Sequence, residues 1–277
     1  MIAAVLGCGR LGTSLARALA AGGHDVVAWS RSKKTAARAR SLGVNCAAGP
    51  LPARLSGASL VFVTVSDPAI AALALEARPR AAKGALLVHC SARLDLTNVD
   101  GSLHPLRALA DGSVDLAGAA CAVDARTPRG LKALTSLARA LGMMPVRVNA
   151  SRRARYHAGA VLASGSLVAL LHAAAGELAA CGFKTRKAAL DALLPLAKGT
   201  LETLSGARWP LTGPVARGDV DAVRAHLAAL SPSARAIYAS IASEQLSIAS
   251  SQRMATKAAL GAVARALLQP PTGKRRR

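Results

Sequence analysis

Gly7-Cys8-Gly9-Arg10-Leu11-Gly12 follows the apolar run Ile2–Leu6 and opens a stretch, Leu11–Ala21, with apolar residues at helical spacing. A G-x-G-x-x-G hexapeptide between a strand and a helix gives each glycine a task. Gly7 makes the tight turn, Gly9 lets backbone approach a pyrophosphate, and Gly12 lets the helix pack on the strand. The helix start at Arg10 and Leu11 adds oriented N–H groups and partial positive charge. The arrangement predicts a dinucleotide-binding βα unit, with a mononucleotide-binding or empty turn as the alternative.

The residues that follow extend the alternation. Asp25–Trp29 reads as a strand and Lys34–Leu42 as a basic helix. Ser59–Val65 and Gly84–Cys90 read as strands, and each is a continuous apolar run. Continuous runs are buried on both faces, the habit of a parallel sheet covered by helices. "GAACAVD", a helix over Pro128–Leu141 and "MPVRV" complete the pattern. The expected fold class is α/β, a Rossmann-type doubly wound parallel sheet over residues 1–148.

Beyond Asn149 strand signals cease. One long apolar helix is expected from Ser151 to about Cys181, then further helices to Leu268, giving an all-α domain over 149–268 and a basic tail over 269–277. The stretch Ala158–Gly176 approaches membrane-span length. It is rich in Ala, Gly and Ser and interrupted by His172, so a buried helix is expected and no membrane association. "WPLTGPVARGD" reads as a loop, with Asp219 placed to cap the next helix. So apolar a first helix is hard to bury within one chain, which points to a homodimer.

The charge balance is +22, from 36 basic and 14 acidic residues, and the excess is shared by both halves. Such a field attracts phosphorylated metabolites, dinucleotides or nucleic acid. Nucleic acid fits less well, because aromatic residues for stacking make up 2% of the chain. Five scattered cysteines (Cys8, Cys46, Cys90, Cys121, Cys181) form no Cys-x-x-Cys. Their pattern fits a reducing cytoplasm without a disulfide framework, and no His pair has metal-ligand spacing. "MIAAVLGC" lacks the basic start of a signal peptide and reads as the first strand.

The corner after the second strand separates the two nicotinamide dinucleotides. A carboxylate there accepts the ribose 2′-hydroxyl of NAD and repels a 2′-phosphate. Here Ser30, Arg31 and Ser32 offer hydroxyl donors and a guanidinium fork, with Lys33 and Lys34 behind them. NADP is therefore expected in preference to NAD; a solvated helix start is the plainer reading. "VTVSDPAI" and "VHCSA" put Val65, Ser66 and Ser91 at strand ends, where open α/β sheets bind ligands, here flanking a nicotinamide.

"GSLHPLRAL", "RYHAGAVLAS" and "LTGPVARGDVDAVRAHLAAL" resemble successive signatures of an uncharacterised Rossmann-like family, the domain-of-unknown-function 2520 family, itself similar to 6-phosphogluconate dehydrogenase-like, ketopantoate reductase-like and pyrroline-carboxylate reductase-like proteins. The resemblance implies an N-terminal NADP domain, a helical 6-phosphogluconate dehydrogenase-like C-terminal domain and dimerisation through the helices. It names no reaction. Relatives carry Tyr-His and then Ser-Asn on the long helix; Tyr156, His157 and Ser164 match, whereas Gly165 stands at the asparagine position and Val161 near the place of a proton-donating lysine.

The catalytic candidates are then His104, His157, Ser164, Arg217 and Asp219. An imidazole can protonate a developing alkoxide, a serine can hold a carbonyl, and Arg217 can clamp a carboxylate. The structural alternatives are a strand-end turn for His104 and an ion pair plus helix cap for Arg217 and Asp219. These readings point to an NADP-dependent reductase of a small carbonyl or imine metabolite, its site formed between the domains. A catalytically degenerate dinucleotide-binding sensor or assembly protein is the alternative that Gly165 favours.

Overall fold

The computed structural model describes residues 1–206 and 208–268; the basic tail at 269–277 lies outside them. The chain divides into two compact units, Met1–Ser164 and Gly165–Arg277. The long helix expected from Ser151 to about Cys181 is therefore divided, its part up to Ser164 falling in the first unit and the rest in the second.

In the first unit the order is β1 (Ile2–Leu6), α1 (Arg10–Ala21), β2 (Asp25–Ser30), α2 (Lys33–Ser41), β3 (Cys46–Ala48), β4 (Leu60–Val63), α3 (Asp67–Ala77), β5 (Leu86–His89), β6 (Gly101–Pro105), β7 (Ala120–Ala125), α4 (Pro128–Ala140), β8 (Met144–Arg147) and α5 (Arg153–Leu162). The strands lie in the order β3-β2-β1-β4-β5-β6-β7-β8. All neighbours are parallel except β6 and β7. This is the expected doubly wound Rossmann sheet, mostly parallel, with one antiparallel step between β6 and β7.

Strand alternation sends each residue of β1 to one of two cores. Ala3 and Val5 join Leu15 and Leu19 of α1, Phe62 of β4 and Leu134 of α4 on one face. Ala4 and Leu6 join Trp29, Val61 and the α3 residues Ile70 and Leu73 on the other. Both layers exclude water from the strands, which is why these read as uninterrupted apolar runs. Strand β6 escaped the sequence reading because it contains a glycine and ends on a proline. Its glycine is needed: a Cβ on Gly101 would stand 2.6 Å from Leu134 Cδ1 and 3.0 Å from the Asp124 carbonyl oxygen.

The second unit comprises α6 (Gly165–Ala180), α7 (Arg186–Glu202), α8 (Pro214–Arg217), α9 (Val220–Ala229), α10 (Pro232–Ser251) and α11 (Lys257–Leu268). Val215, Val223, Ala242 and Val263 form its core. The segment expected to be a single loop thus contains α8, which buries Val215 and Ala216.

The long apolar helix is not continuous. It is interrupted at Ala163 and Ser164, where Ser164 Oγ donates to the Ala160 carbonyl at 2.7 Å and so competes with the backbone ladder, and Gly165 follows. Nor is it buried as expected. Residues 150–180 are long and apolar enough to cross a membrane by length and composition, but only 6% of the most apolar window is buried in this chain. Val168 and Leu170 of α6 and Leu194 and Leu196 of α7 are exposed.

Candidate functional site

The glycine loop is fixed from below. Gly7 N and Cys8 N both donate to the Trp29 carbonyl, at 2.8 and 3.3 Å, which ties the loop to the end of β2. Gly7 has φ +114°, and a Cβ there would stand 2.7 Å from Val65 Cγ1. A Cβ on Gly12 would stand 2.2 Å from the Gly7 carbonyl oxygen and 2.7 Å from Thr64 Oγ1. Gly9 differs: a Cβ would meet nothing within 4 Å. Its bareness serves no packing need and leaves a concave approach to the backbone. Gly9 caps α1 without a side-chain bond, so the N–H groups of Arg10, Leu11 and Gly12 point past it unpaired by the helix. Arg10 Nη1 donates to the Leu109 carbonyl at 3.3 Å.

A cleft of about 510 Å³ opens over this loop. Gly7, Gly9, Ser30, Arg31, Ser32 and Thr35 line one part of it, and Thr64, Val65 and Ser66 another. Ser30 is buried, while Arg31 is exposed. Ser32 Oγ accepts from Thr35 N at 3.3 Å and so caps α2, with its remaining capacity free for a ligand. Ser66 caps α3 without using its side chain. Trp29 Nε1 donates to the Gly49 and Pro50 carbonyls at 2.9 and 3.0 Å, fixing the cleft floor. Glu76 also borders the cleft, 3.6 Å from Arg80. Open backbone N–H groups beside a cationic, hydroxyl-bearing corner fit a dinucleotide.

Ser91 is placed differently from the cleft residues. It is buried, and its Oγ accepts from Arg93 N and Leu94 N, both at 3.2 Å. Its N–H donates to His89 Nδ1 at 3.1 Å, so His89 Nε2–H donates to the Asp95 carbonyl at 2.8 Å. His89 is fully buried and neutral, its pKa lowered by burial. Ser91 therefore organises the turn after β5. Arg93 Nε pairs with Asp67 at 2.9 Å and ties that turn to the start of α3.

A second cavity, of about 600 Å³, lies against α5 and the end of β6. His104, Leu106, Arg107 and Ala108 form one wall, and Tyr156, His157, Ala160, Val161 and Ser164 of the α5 segment form the other. His104 and Tyr156 face each other edge-on, with His104 Nδ1 2.8 Å from the Tyr156 hydroxyl. Burial lowers the His104 pKa to about 4, assisted by the neighbouring His157, Arg153 and His89 and opposed by Asp67. Burial pushes the Tyr156 hydroxyl up to about 12. Both groups are neutral near pH 7.

Arg153 holds this wall in place, a role the sequence did not reveal. It is 1% exposed, donates to the Ser91 carbonyl at 3.3 Å and bonds Ser102 Oγ. Ser102 and His104 are two apart on β6 and share a face; Arg153 and Tyr156 are three apart on α5 and share another. The two contacts are successive rungs between strand and helix.

The structure thus brings His104, His157 and Ser164 to one cavity, with Tyr156 added. Arg217 and Asp219 lie in the helical unit. Arg217 is the exposed last residue of α8. Asp219 Oδ1 accepts from Ala222 N at 3.0 Å, the helix cap foreseen as its structural reading. Among the described residues no group of His, Cys, Asp and Glu is arranged to hold a metal.

Residues 119–245 match the family model described as Domain of unknown function (DUF2520), and residues 2–93 match that described as NADP oxidoreductase coenzyme F420-dependent. Over 102 residues the chain is 34% identical to a glycerol-3-phosphate dehydrogenase [NAD(P)+] of Alcanivorax borkumensis, covering 32% of this chain and 30% of that one. The chain therefore matches under a third of the length of this curated relative. A solved protein of Bacteroides fragilis described as an NADP oxidoreductase, BF3122, superposes with a TM-score of 0.72 at 22% identity, over 88% of this chain and 97% of that one. Protein TM1727 of Thermotoga maritima gives 0.71 at 24% identity, over 91% and 100%. At that identity both show a common fold, a Rossmann sheet followed by helices. The likeness to the domain-of-unknown-function 2520 family, read from the sequence, is met over residues 119–245 by that family's own model, and residues 2–93 are similar to an NADP oxidoreductase family.

Proposed function

We propose that the chain is an NADP-dependent reductase acting on the C=O or C=N bond of a small metabolite. The observation that carries this reading is the cleft in which the open backbone at Gly9 meets Ser30, Arg31, Ser32 and Thr35. The loop holds a pyrophosphate by N–H groups and the α1 dipole, and Arg31 faces the adenosine 2′-phosphate. The cleft rim at Val65 and Ser66, with the turn at Ser91 behind it, leads toward the nicotinamide end. When bound, a reduced nicotinamide supplies a hydride. The cavity at His104 and Tyr156 then receives the substrate. It is lined by hydrogen-bond donors and the Arg107 cation, and among the described residues no acidic side chain lines it.

The same reading takes the protein as a cytoplasmic homodimer without nucleic-acid or membrane partners. Its support is the exposed apolar side chains on α6 and α7, together with an apolar groove of about 390 Å³ in the helical unit that includes Leu170, Ile237 and Ile241. Light scattering on the purified protein reads the mass directly, and a monomer there refutes the dimer.

Calorimetry with NADPH and NADH tests the cofactor assignment. NADPH is expected to bind at least about tenfold more tightly, a difference of about 1.4 kcal/mol, and Arg31→Glu to reverse the order. Equal affinities that Arg31→Glu leaves unchanged overturn the NADP assignment; absence of heat with either coenzyme overturns the reductase reading.

A further inference from the structure

We propose that the Tyr156 hydroxyl is the proton donor of this site and that His104, bonded to it through Nδ1, passes it a replacement proton from solvent. The inference rests on the reductase reading above. Val161 occupies the wall of the cavity near where the resemblance would put a lysine, so the donor must be sought among the other lining groups. Ser164 spends its proton on the Ala160 carbonyl. The Arg107 guanidinium holds its proton too firmly to transfer it. Among the described residues no hydrogen bond orients His157. Tyr156 is the remaining donor, and it is oriented by a bond of 2.8 Å.

The two rungs between β6 and α5 make that orientation firm. Arg153 fixes the start of α5 on Ser91 and Ser102, and one turn later Tyr156 meets His104. Neutral His104 with its proton on Nδ1 donates to the phenol oxygen, which leaves the phenol proton directed away from the ring. As the substrate carbon takes up hydride, its oxygen or imine nitrogen takes the Tyr156 proton. The Nδ1 proton moves to the phenol oxygen, and His104 Nε2 gains one from water. One hydride and one proton are consumed: C=O becomes CH–OH, or C=N becomes CH–NH, and the reduced dinucleotide is oxidised. An alkoxide is a stronger base than a phenolate, so the transfer runs downhill even from a phenol of raised pKa.

The charged and titratable groups around the pair are His157 and Arg153 from α5, His89 and Cys121 from the sheet, Arg107 on the cavity wall and Asp67 at the start of α3. Cations outnumber the single carboxylate, and Arg153 stabilises the transient phenolate.

The experiment follows NADPH oxidation by the full chain with pyruvate, glyoxylate and 1-pyrroline as probes, beside NADPH calorimetry. Tyr156→Phe is expected to lower kcat about a hundredfold or more, with KM and NADPH affinity within about twofold, and to abolish the solvent deuterium isotope effect. His104→Gln is expected to lower kcat about tenfold and displace the pH profile. Nitrogen-15 spectra of labelled histidine supply a readout independent of turnover, in which Tyr156→Phe must shift the His104 Nδ1 resonance. Wild-type kcat in Tyr156→Phe, or an unmoved Nδ1 resonance, overturns the relay and leaves the reductase reading standing. A protein that binds NADPH and reduces no probe also overturns the relay. Loss of NADPH binding in the wild type instead strikes the reading beneath it.

Discussion

The Arg153 guanidinium donates to the Ser91 carbonyl across 62 residues of sequence, and its partners are neutral oxygens rather than a carboxylate within bonding reach. Its Nε has no partner among the described residues. A buried cation held this way is justified by position: it joins the turn after β5 to the start of α5. Arg153→Ala removes two hydrogen bonds and opens a cavity, at an expected cost of about 2–4 kcal/mol. Arg153→Lys recovers only part, because an ammonium lacks the fork that reaches both acceptors. Urea unfolding checks both, and an unchanged midpoint in Arg153→Ala refutes the role.

The imidazole of His104 makes stability depend on pH in a defined window. Its pKa is about 4 in the folded protein and about 6.5 in an unfolded chain. Between these values the unfolded state binds the extra proton, so stability is complete above about 6.5 and falls as pH drops toward 4. His89 contributes with the same sign, its pKa also lowered by burial. The urea midpoint is expected to fall between pH 7 and pH 5, and by less in His104→Gln. Identical pH slopes in the two proteins count against a neutral, buried His104.

Gly9 and Gly12 separate binding from folding. At Gly12 the added Cβ of alanine meets the Gly7 carbonyl at 2.2 Å, so the loop must move; the expected cost is about 1–3 kcal/mol together with loss of NADPH binding. At Gly9 the backbone is extended and the Cβ meets open space. Gly9→Ala should fold normally, with a thermal midpoint within about 2 °C, yet weaken NADPH at least about tenfold by filling the pyrophosphate's place. Calorimetry beside thermal melts distinguishes the two, and undiminished affinity in Gly9→Ala places the dinucleotide elsewhere.

The same contrast explains what was legible in the sequence. The glycine loop could be read because its constraint is local: strand, turn and helix start lie within a dozen residues. The alternating units of β1, β2, β4 and β5 announced themselves by burial on both faces. Strand β3 has three residues, too few for a pattern, and β6 hides behind Gly101 and Pro105. The antiparallel pairing of β6 with β7 leaves no trace in either strand taken alone, since both are buried as parallel strands are. The interruption at Ser164 depends on where a hydroxyl points. Tyr156 and His104 were visible singly, but their bond spans 52 residues. Arg153, in an exposed-looking "RRAR" run, gave no sign of burial.

Thiol chemistry discriminates among five cysteines that composition treats alike. Cys8, Cys46, Cys90 and Cys121 are buried and Cys181 is exposed. Burial pushes the Cys121 thiol up to about 12 and raises Cys90 further, so neither supplies thiolate at neutral pH. Cys46 is the instructive case. The Cys8 thiol and the Arg40 guanidinium near it favour its thiolate and lower its pKa, against burial, whereas Cys8 is raised in return. Thiolate character alone would make Cys46 the reactive one, but attack needs access as well, and this sulfur lies inside the core against α1 and α2. One fast equivalent is therefore expected with an aromatic disulfide reagent on the native protein. Cys181→Ser should remove it, and denaturant should release the other four. A fast phase that persists in Cys181→Ser and disappears in Cys46→Ser would mean that the loop beside Gly9 opens on the timescale of the reagent.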